Sequence, residues 1–440
     1  MKESLAIIGS GIAGLGCAHF LRHDYAITLY EANAYAGGHA HTLSIPTDSG
    51  TIPVDSGFMV YNEITYPLLT RLFRELAVDT MPTTMSFSVR HDVHALEYCG
   101  SSLNQLFAQR RNLIRPRFWA LLGSILRFNR YGLEDLENPR ILDMNLDEYA
   151  RWRKHGEALL EHYLLPMSAA VWSGRPEKMR EFPAISLLRF FRNHGFLGVR
   201  THYAWRTVRN GSESYVRRLT SPWQDRLLLN AKVRKVGRSP EGVSIHLADG
   251  SIHRHDAVIL ACQADQALSL LENPSSEEKQ ILGSFSYQDN AVTVHSWTGV
   301  LPRSRRAWAS WNYHIPEDSS SSPATHYWMN SLQGIDPAHP VLVTLNGAQL
   351  IPERHIIRQL HYRHPQFDRT AIQAQSRLPE LNLRRNSRSY FCGSYFGYGF
   401  HEDGLRSAYQ LSRSILQRDP WDCSRTANHT SGMTMEAPLS

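Results

Sequence analysis

The stretch that decides the fold is Leu5-Ala6-Ile7-Ile8-Gly9-Ser10-Gly11-Ile12-Ala13-Gly14-Leu15, followed by the helical pattern of Ala18, Phe20 and Leu21 and then by Ala26-Ile27-Thr28-Leu29-Tyr30-Glu31. It reads as strand, glycine turn, helix and second strand. Gly9 permits a tight turn, Gly11 leaves the backbone open to a pyrophosphate, and Gly14 lets the helix lie close on the strand. The helix N-terminus then faces the phosphates. Glu31 ends the second strand about 20 residues after the turn, where a carboxylate accepts hydrogen bonds from a ribose. A lone GxGxxG says little. The complete strand–turn–helix–strand–acid context predicts a dinucleotide-binding α/β domain.

Beyond Glu31 the chain runs Ala32-Asn33-Ala34-Tyr35-Ala36-Gly37-Gly38-His39-Ala40-His41-Thr42. The second glycine pair, Gly37-Gly38, is read either as an ordinary surface turn or as a second contact with the dinucleotide. On these residues the chain resembles the flavin amine oxidase superfamily, which includes phytoene desaturase-like and protoporphyrinogen oxidase-like enzymes. In that superfamily Glu-Ala, a short spacer and Gly-Gly-Arg form a second contact with FAD. Tyr35 and His39 stand where arginines are common, so one guanidinium contact to the diphosphate is expected to be missing.

Further segments carry the same resemblance. Asp55-Ser56-Gly57-Phe58-Met59-Val60-Tyr61 is similar to the segment that runs past the flavin ring, a hairpin of the nucleotide domain being the other reading. Val233, in Lys232-Val233-Arg234-Lys235-Val236, matches the valine whose backbone touches the adenine. The segment 205–212 resembles the return into the flavin domain, with Asn210 in place of a glycine. Near the C-terminus, Cys392-Gly393-Ser394 and Phe400-His401-Glu402-Asp403-Gly404-Leu405 resemble the loop and helix start that face the flavin pyrimidine. Ser394 replaces the usual aspartate, and Phe400 lies where amine oxidases place an aromatic facing the flavin.

The resemblance implies non-covalent FAD held by Gly9, Ser10, Gly11, Ile12, Ala13, Gly14, Glu31, Ala32, Gly37, Gly38, His39, Thr42, Gly57, Phe58, Met59, Val60, Val233, Gly393, Ser394, Glu402, Asp403, Gly404 and Leu405. It implies an α/β fold (α+β overall): a Rossmann-like FAD-binding domain of the glutathione-reductase/amine-oxidase type with an inserted substrate domain of mixed sheet and helices. The expected division is 1–80, 205–275 and 385–418 for the discontinuous FAD domain and 81–204 with 276–384 for the substrate domain. The polar tail, 419–440, is expected to be disordered.

With 440 residues, 42% of them hydrophobic, the chain is long enough for two or three domains with real cores. The net charge of +6 is modest, comes mostly from arginine, and accompanies no nucleic-acid motif, so no nucleic-acid partner is expected. The five cysteines are scattered without a CxxC pair, which predicts reduced thiols and no metal centre. No run reaches the roughly 20 apolar residues of a membrane span, and the first strand leaves no room for a signal peptide. A cytoplasmic protein is expected.

Between residues 110 and 130, Arg110, Arg111, Arg115, Arg117, Arg127 and Arg130 interleave with Phe118, Trp119, Leu122 and Ile125. Helices that lie on a membrane surface have this composition. So does a surface helix with one core face and one solvated arginine face. A second basic and aromatic cluster spans 187–192. The run 164–173, rich in small residues, and the aromatic runs 308–313 and 326–333 suit either the wall of an apolar cavity or plain packing.

The wording of 308–312, 328–333 and 400–404 resembles a bacterial subgroup of predicted NAD/FAD-binding proteins often encoded beside methyltransferases like cyclopropane fatty-acid synthase. This implies an acyl-chain substrate. The favoured expectation is an FAD-dependent oxidoreductase that desaturates or oxidises a membrane fatty-acyl or related apolar lipid by hydride transfer to the flavin, at a membrane surface and with a lipid methyltransferase as partner. Tyr61, His295 and His401 are the candidate proton acceptors. The alternatives are a non-redox flavoprotein, either a lipid isomerase or a partner subunit of the methyltransferase, and an amine oxidase. Amine oxidases place a lysine in a strand corresponding to 287–295, where this chain has none and Asn290 is the nearest polar equivalent.

Overall fold

The computed structural model describes residues 2–48, 50–172, 174, 176–198, 203–318, 322–383 and 388–422. Of the tail expected to be disordered over 419–440, residues 419–422 are ordered, with Trp421 packed on Phe20 and Tyr409; residues 423–440 and most of the serine run 318–322 lie outside the described residues.

A five-stranded parallel sheet carries the strands Leu227–Leu228, Ala26–Tyr30, Ser4–Ile8, Ala257–Leu260 and Ser389–Phe391 in that spatial order. Ser4–Ile8 is central, with Ile7 opposite Leu29 on one side and Ile259 on the other. Its unbroken apolar run suits a strand covered on both faces. The helix Ile12–Leu21 is buried along its whole length, because the sheet lies on one side and the C-terminal helix His401–Leu416 on the other. Two glycines set that helix pair's spacing: a Cβ on Gly16 would stand 3.0 Å from Ala408 and Leu405, and one on Gly404 would stand 2.8 Å from Ile12.

An antiparallel meander of Val233–Ser239, Gly242–Leu247 and Ile252–His255 packs over this sheet. Trp205–Val208 brings the chain back beside Tyr61–Asn62 and Thr80–Thr83 in a small antiparallel sheet. A mixed seven-stranded sheet has the order Ile356–Gln366, Ser286–His295, Leu342–Leu345, Ala324–Trp328, Trp311–Ile315, Phe87–His91 and Leu96–Cys99. Helices between residues 103 and 193 cover it, with Phe128, Tyr149, Leu187, Leu188 and Phe191 as their fully buried centre.

Several open readings are decided here, and some expectations change. The run 164–173 belongs to that helical core: Leu165–Trp172 buries Leu165, Met167, Ala169, Ala170 and Trp172. The aromatic run 326–333 divides between the strand Ala324–Trp328 and the helix Met329–Gln333. In the helix Pro116–Asp135, Phe118 is 4% exposed because it packs on Phe107 and Tyr98, so it cannot enter a membrane. Leu122 and Ile125 are half-buried. Trp119 faces outward as expected, and Leu113, Ile114 and Leu126 join it there. No helix among the described residues is long and apolar enough to cross a membrane. Cys17, Cys99, Cys262 and Cys392 are free thiols.

Candidate functional site

The cradle forms where the first strand hands over to its helix. Gly9 has φ +100°, a conformation that favours glycine, and Gly11 would place a Cβ in open space, with nothing within 4 Å. The first-turn N–H groups of Ile12–Leu21 therefore face an accessible gap. Gly37 closes the cradle from the second motif, its N–H donating to the Ser10 carbonyl at 2.9 Å. Gly38 lies close enough that a Cβ would stand 3.1 Å from Gly11 Cα. The two glycine motifs thus meet in space.

Glu31 is buried at the rim. One carboxylate oxygen accepts from Ser10 N (2.9 Å) and Ser10 Oγ (2.6 Å), the other from Asn33 N and Nδ2 (both 2.8 Å). All four lone-pair positions are occupied, so a ribose hydroxyl reaches Glu31 only when the Ser10 or Asn33 side chain turns aside. The lead-in to Val233 runs beside this rim: Ala231 N donates to Glu31 O and Asn230 N to Asn33 O. Ala32 is exposed next to it.

His39 and Gly57 interlock. Phe58 N donates to His39 O at 2.8 Å, Ser56 N donates to His41 O at 2.9 Å, and a Cβ on Gly57 would stand 2.3 Å from His39 O. The His39 Nε2 is buried without a hydrogen-bond partner, and desolvation pushes that imidazole's pKa down to about 4. Phe58 stacks on His401, rings parallel at 3.9 Å, and Tyr215 Oη lies 2.6 Å from His401 Nε2. Burial drives the His401 pKa to about 3.

Several predicted contact residues have their side chains committed elsewhere. Glu402 accepts from Leu68 N and Leu69 N and so caps the helix Pro67–Glu75, and burial raises its pKa to about 7. Asp403 accepts from Tyr398 N and Phe400 N and caps its own helix. Gly404 and Leu405 pack against the helix Ile12–Leu21. Gly393 N donates to Ser407 Oγ, which holds Gly393-Ser394 against the helix His401–Leu416. This end can therefore offer a ligand its helix N-terminus and backbone, not its acidic side chains. Thr42 donates to the buried Asp55, whose pKa burial raises to about 6, and Met59 O accepts from Thr207. Met59 and Val60 are buried in the domain core.

The three candidate proton acceptors are not brought together. Tyr61 packs on Tyr66 and Phe73 in that core. His295 is fully buried in the large sheet, its Nε2 2.7 Å from Thr344 Oγ1 and its Nδ1 accepting from Trp297 N. Neither is placed as a base facing the cradle, and His401 Nε2 is engaged with the Tyr215 hydroxyl.

Sequence reasoning missed a polar face made by Tyr362 and His364, alternate residues of the strand Ile356–Gln366. Tyr362 Oη bonds Ser56 Oγ (2.6 Å) and His41 Nδ1 (3.0 Å), and its ring lies 4.9 Å from His39. His364 lies 5.4 Å from His39 and pairs with the fully buried Asn290 (3.2 Å), which also accepts from Asn346 (2.8 Å). Burial and the neighbouring His39 push His364 to about 3. The period-2 alternation of 362 and 364 was the available signal. Beside this face, Phe400 stacks on Phe190 at 5.3 Å and meets His194, which stacks on Trp205.

These residues fit FAD. The open cradle at Gly11 and the orphaned His39 Nε2 offer donors to a diphosphate, the segment 230–233 a wall for adenine, and the start of His401–Leu416 a positive helix end for the ring.

The sequence profile described as flavin containing amine oxidoreductase matches residues 12–298. Among curated proteins none matches. Similar solved structures include cyclohexylamine oxidase from Brevibacterium oxydans IH-35A, at 14% identity and TM-score 0.68, covering 95% of this chain and 99% of that one. A CLA-producing fatty acid isomerase from P. acnes follows at 14% identity and TM-score 0.67, covering 94% and 98%. Wild-type putrescine oxidase bound to putrescine has 14% identity and TM-score 0.65, covering 95% and 100%. At such identities the likeness is one of fold. The profile match spans most of the chain and includes the second glycine pair, Gly37-Gly38, and on that ground the chain belongs to the flavin containing amine oxidoreductase family, as an FAD-dependent oxidoreductase.

Proposed function

We propose that this oxidoreductase acts on a fatty-acyl or related apolar lipid, taking hydride from an unactivated or allylic C–H, and that it does so at a membrane surface. The observation that carries the reading is the polar face beside the cradle. There Tyr362 and His364 meet His39 and Asn290; the imidazoles of His39, His364 and the neighbouring His401 are uncharged at neutral pH, and Asn290 stands in the strand where amine oxidases have a lysine. The aromatic group Phe400, Phe190, His194 and Trp205 lies alongside. An uncharged, largely aromatic setting suits an apolar substrate and excludes water from it.

FAD supplies the two-electron acceptor. The protein's own part is to bind it in the glycine cradle and to hold His401 and Phe58 parallel, with the neighbouring imidazoles neutral. A substrate C–H of this kind needs only a weak base, consistent with imidazoles whose basicity burial has removed. His39 Nε2, buried without a partner, is a candidate to hold a proton or orient the cofactor.

The membrane reading rests on exposure. Ile114 is 85%, Leu126 56% and Trp119 52% exposed, and Arg115 and Arg117 make no ion pair among the described residues. Arg110 and Arg111, in contrast, tie down the carbonyls of Phe107 and Ala95. A diacyl lipid does not leave the bilayer cheaply, since each exposed methylene costs about 0.8 kcal/mol. An enzyme acting mid-chain must therefore touch the membrane or receive the lipid from a carrier, for which the neighbouring-gene resemblance nominates a lipid methyltransferase.

The second reading is isomerisation without net oxidation, favoured by the fold likeness to a protein named for fatty acid isomerisation. A lipid profile of a deletion strain tests the main proposal. An acyl species should disappear on deletion and return with the wild-type gene. An unchanged profile, with growth conditions that express the gene, counts against a lipid substrate.

A further inference from the structure

Away from the cradle, three histidines converge at the edge of the seven-stranded sheet. His91 ends the strand Phe87–His91, and His94 stands in the turn that leads to Leu96–Cys99. His162 comes from the π-helical turn Leu160–Leu164 in the helical layer. One ligand atom from each lies within 4.8 Å of the others. The His91 and His94 rings are 4.2 Å apart, and the His162 ring stands nearly perpendicular to both, at 5.3 and 5.0 Å.

The surroundings leave these rings without another task. His162 Nδ1 is buried with no hydrogen-bond partner. The His94 amide approaches His91 Nδ1 only at a long 3.4 Å, so little is lost when that ring turns. The neighbouring acids are engaged elsewhere: Asp92 with Arg90 and His314, Glu97 with the amides of Arg303 and Ser304. Three imidazolium cations would repel one another at this spacing, and the neutral imidazole is the form that ligates metal. A π-helical turn, uncommon in itself, often marks a functional position.

We propose that His91, His94 and His162 bind a divalent transition-metal ion of the zinc type, with water in the remaining position. The donor set consists of three neutral nitrogens and no carboxylate, which disfavours magnesium and calcium and suits zinc, nickel, copper or cobalt. Nitrogens about 2.05 Å from a tetrahedral ion lie about 3.3 Å apart. The ligand atoms, within 4.8 Å of one another, therefore close by up to about 1.5 Å on binding, through side-chain torsions of the exposed His94. The ion ties the edge hairpin to the helical layer, where the Tyr98 hydroxyl already donates to the His162 carbonyl. Sequence spacing hid the site, since His162 lies far along the chain from the His-x-x-His pair.

The test uses untagged FAD-loaded protein, stripped with a chelator and titrated with zinc by calorimetry, with elemental analysis after dialysis. The wild type should retain about one zinc per chain more than a His94→Ala, His162→Ala double variant, and each single variant should bind at least tenfold more weakly. Flavin content is the folding control. A His94→Cys variant loaded with cobalt should show a thiolate-to-cobalt charge-transfer absorption. Equal zinc in wild type and double variant, or no such absorption from the cysteine variant, overturns the assignment.

Discussion

Substituting Gly14 by alanine strikes the cradle and the fold together, and its neighbour Gly11 separates the two effects. A Cβ on Gly14 would stand 1.9 Å from the Gly9 carbonyl oxygen, where real Cβ contacts below 3.0 Å are essentially never seen. It would also press on Ala261 Cβ at 3.3 Å, so helix and turn must part by about 1 Å. The opposing atoms are backbone in the central sheet and cannot swing away. Overpacking of this kind costs on the order of 3 kcal/mol of stability. A shift of about 1 Å also breaks hydrogen bonds from the helix N-terminus to a diphosphate. Two such charge-assisted bonds are worth about 3–6 kcal/mol, or roughly a 10²- to 10⁴-fold loss of FAD affinity. Gly11→Ala meets nothing within 4 Å in the protein. It should leave the melting point of the cofactor-free protein unchanged and yet weaken FAD, because its methyl enters the space the diphosphate takes. The assay is flavin per chain after dialysis together with melting of the cofactor-free protein. If Gly14→Ala retains stoichiometric FAD and melts like wild type, the reasoning about this turn is refuted.

Other predictions concern charge and surface. His39, His194, His364 and His401 have folded pKa values of about 4, 4, 3 and 3, below the ordinary 6.5. Below pH 6.5 the unfolded chain therefore takes up protons that the folded one refuses, and stability falls as pH drops towards 4, by up to about 1.4 kcal/mol per unit for each histidine. Urea titrations at pH 7 and 5 measure this, and His401→Asn should flatten the slope; equal stability at both pH values contradicts it. Glu402 runs the other way. Its folded pKa of about 7 exceeds the ordinary 4.5, so its contribution is present at low pH and is lost as pH rises from about 4.5 to 7, by about 3 kcal/mol. Between pH 5 and 8, Glu402→Gln should gain on wild type by up to that amount, and a constant gap would exclude a raised pKa. For the membrane face, anionic vesicles should sediment wild type at low salt and release it at high salt, while Arg115→Glu, Arg117→Glu or Ile114→Asp should weaken sedimentation. Equal sedimentation of all variants removes this face as the contact.

The cofactor frame was legible because its signals are local. Gly9, Gly11 and Gly14 fix a turn within six residues, and Glu31 follows at the spacing that one helix requires. The helix beginning at His401 was legible for the same reason. What escaped depends on contacts between distant segments. Tyr362 and His364 become site residues only because the strand Ile356–Gln366 pairs with Ser286–His295 in the register that sets Asn290 opposite Tyr362. Glu402 and Asp403 look like ligand groups in sequence, but the helix start Pro67–Glu75 and their own helix N-terminus take them first. Phe118 and Ile114 are equally apolar in the sequence. Only packing on Phe107 and Tyr98 decides that the first is core and the second faces outward.

Anaerobic reduction of the bound flavin tests the central claim most directly. FAD-loaded protein is mixed, without oxygen, with vesicles of unsaturated and saturated phospholipid and separately with mono- and polyamines, while the flavin absorbance is followed. A lipid oxidoreductase predicts bleaching by a lipid and formation of an oxidised acyl product in equal amount, with no useful bleaching by the amines. Rapid bleaching by a simple amine, with none by any lipid, would contradict it.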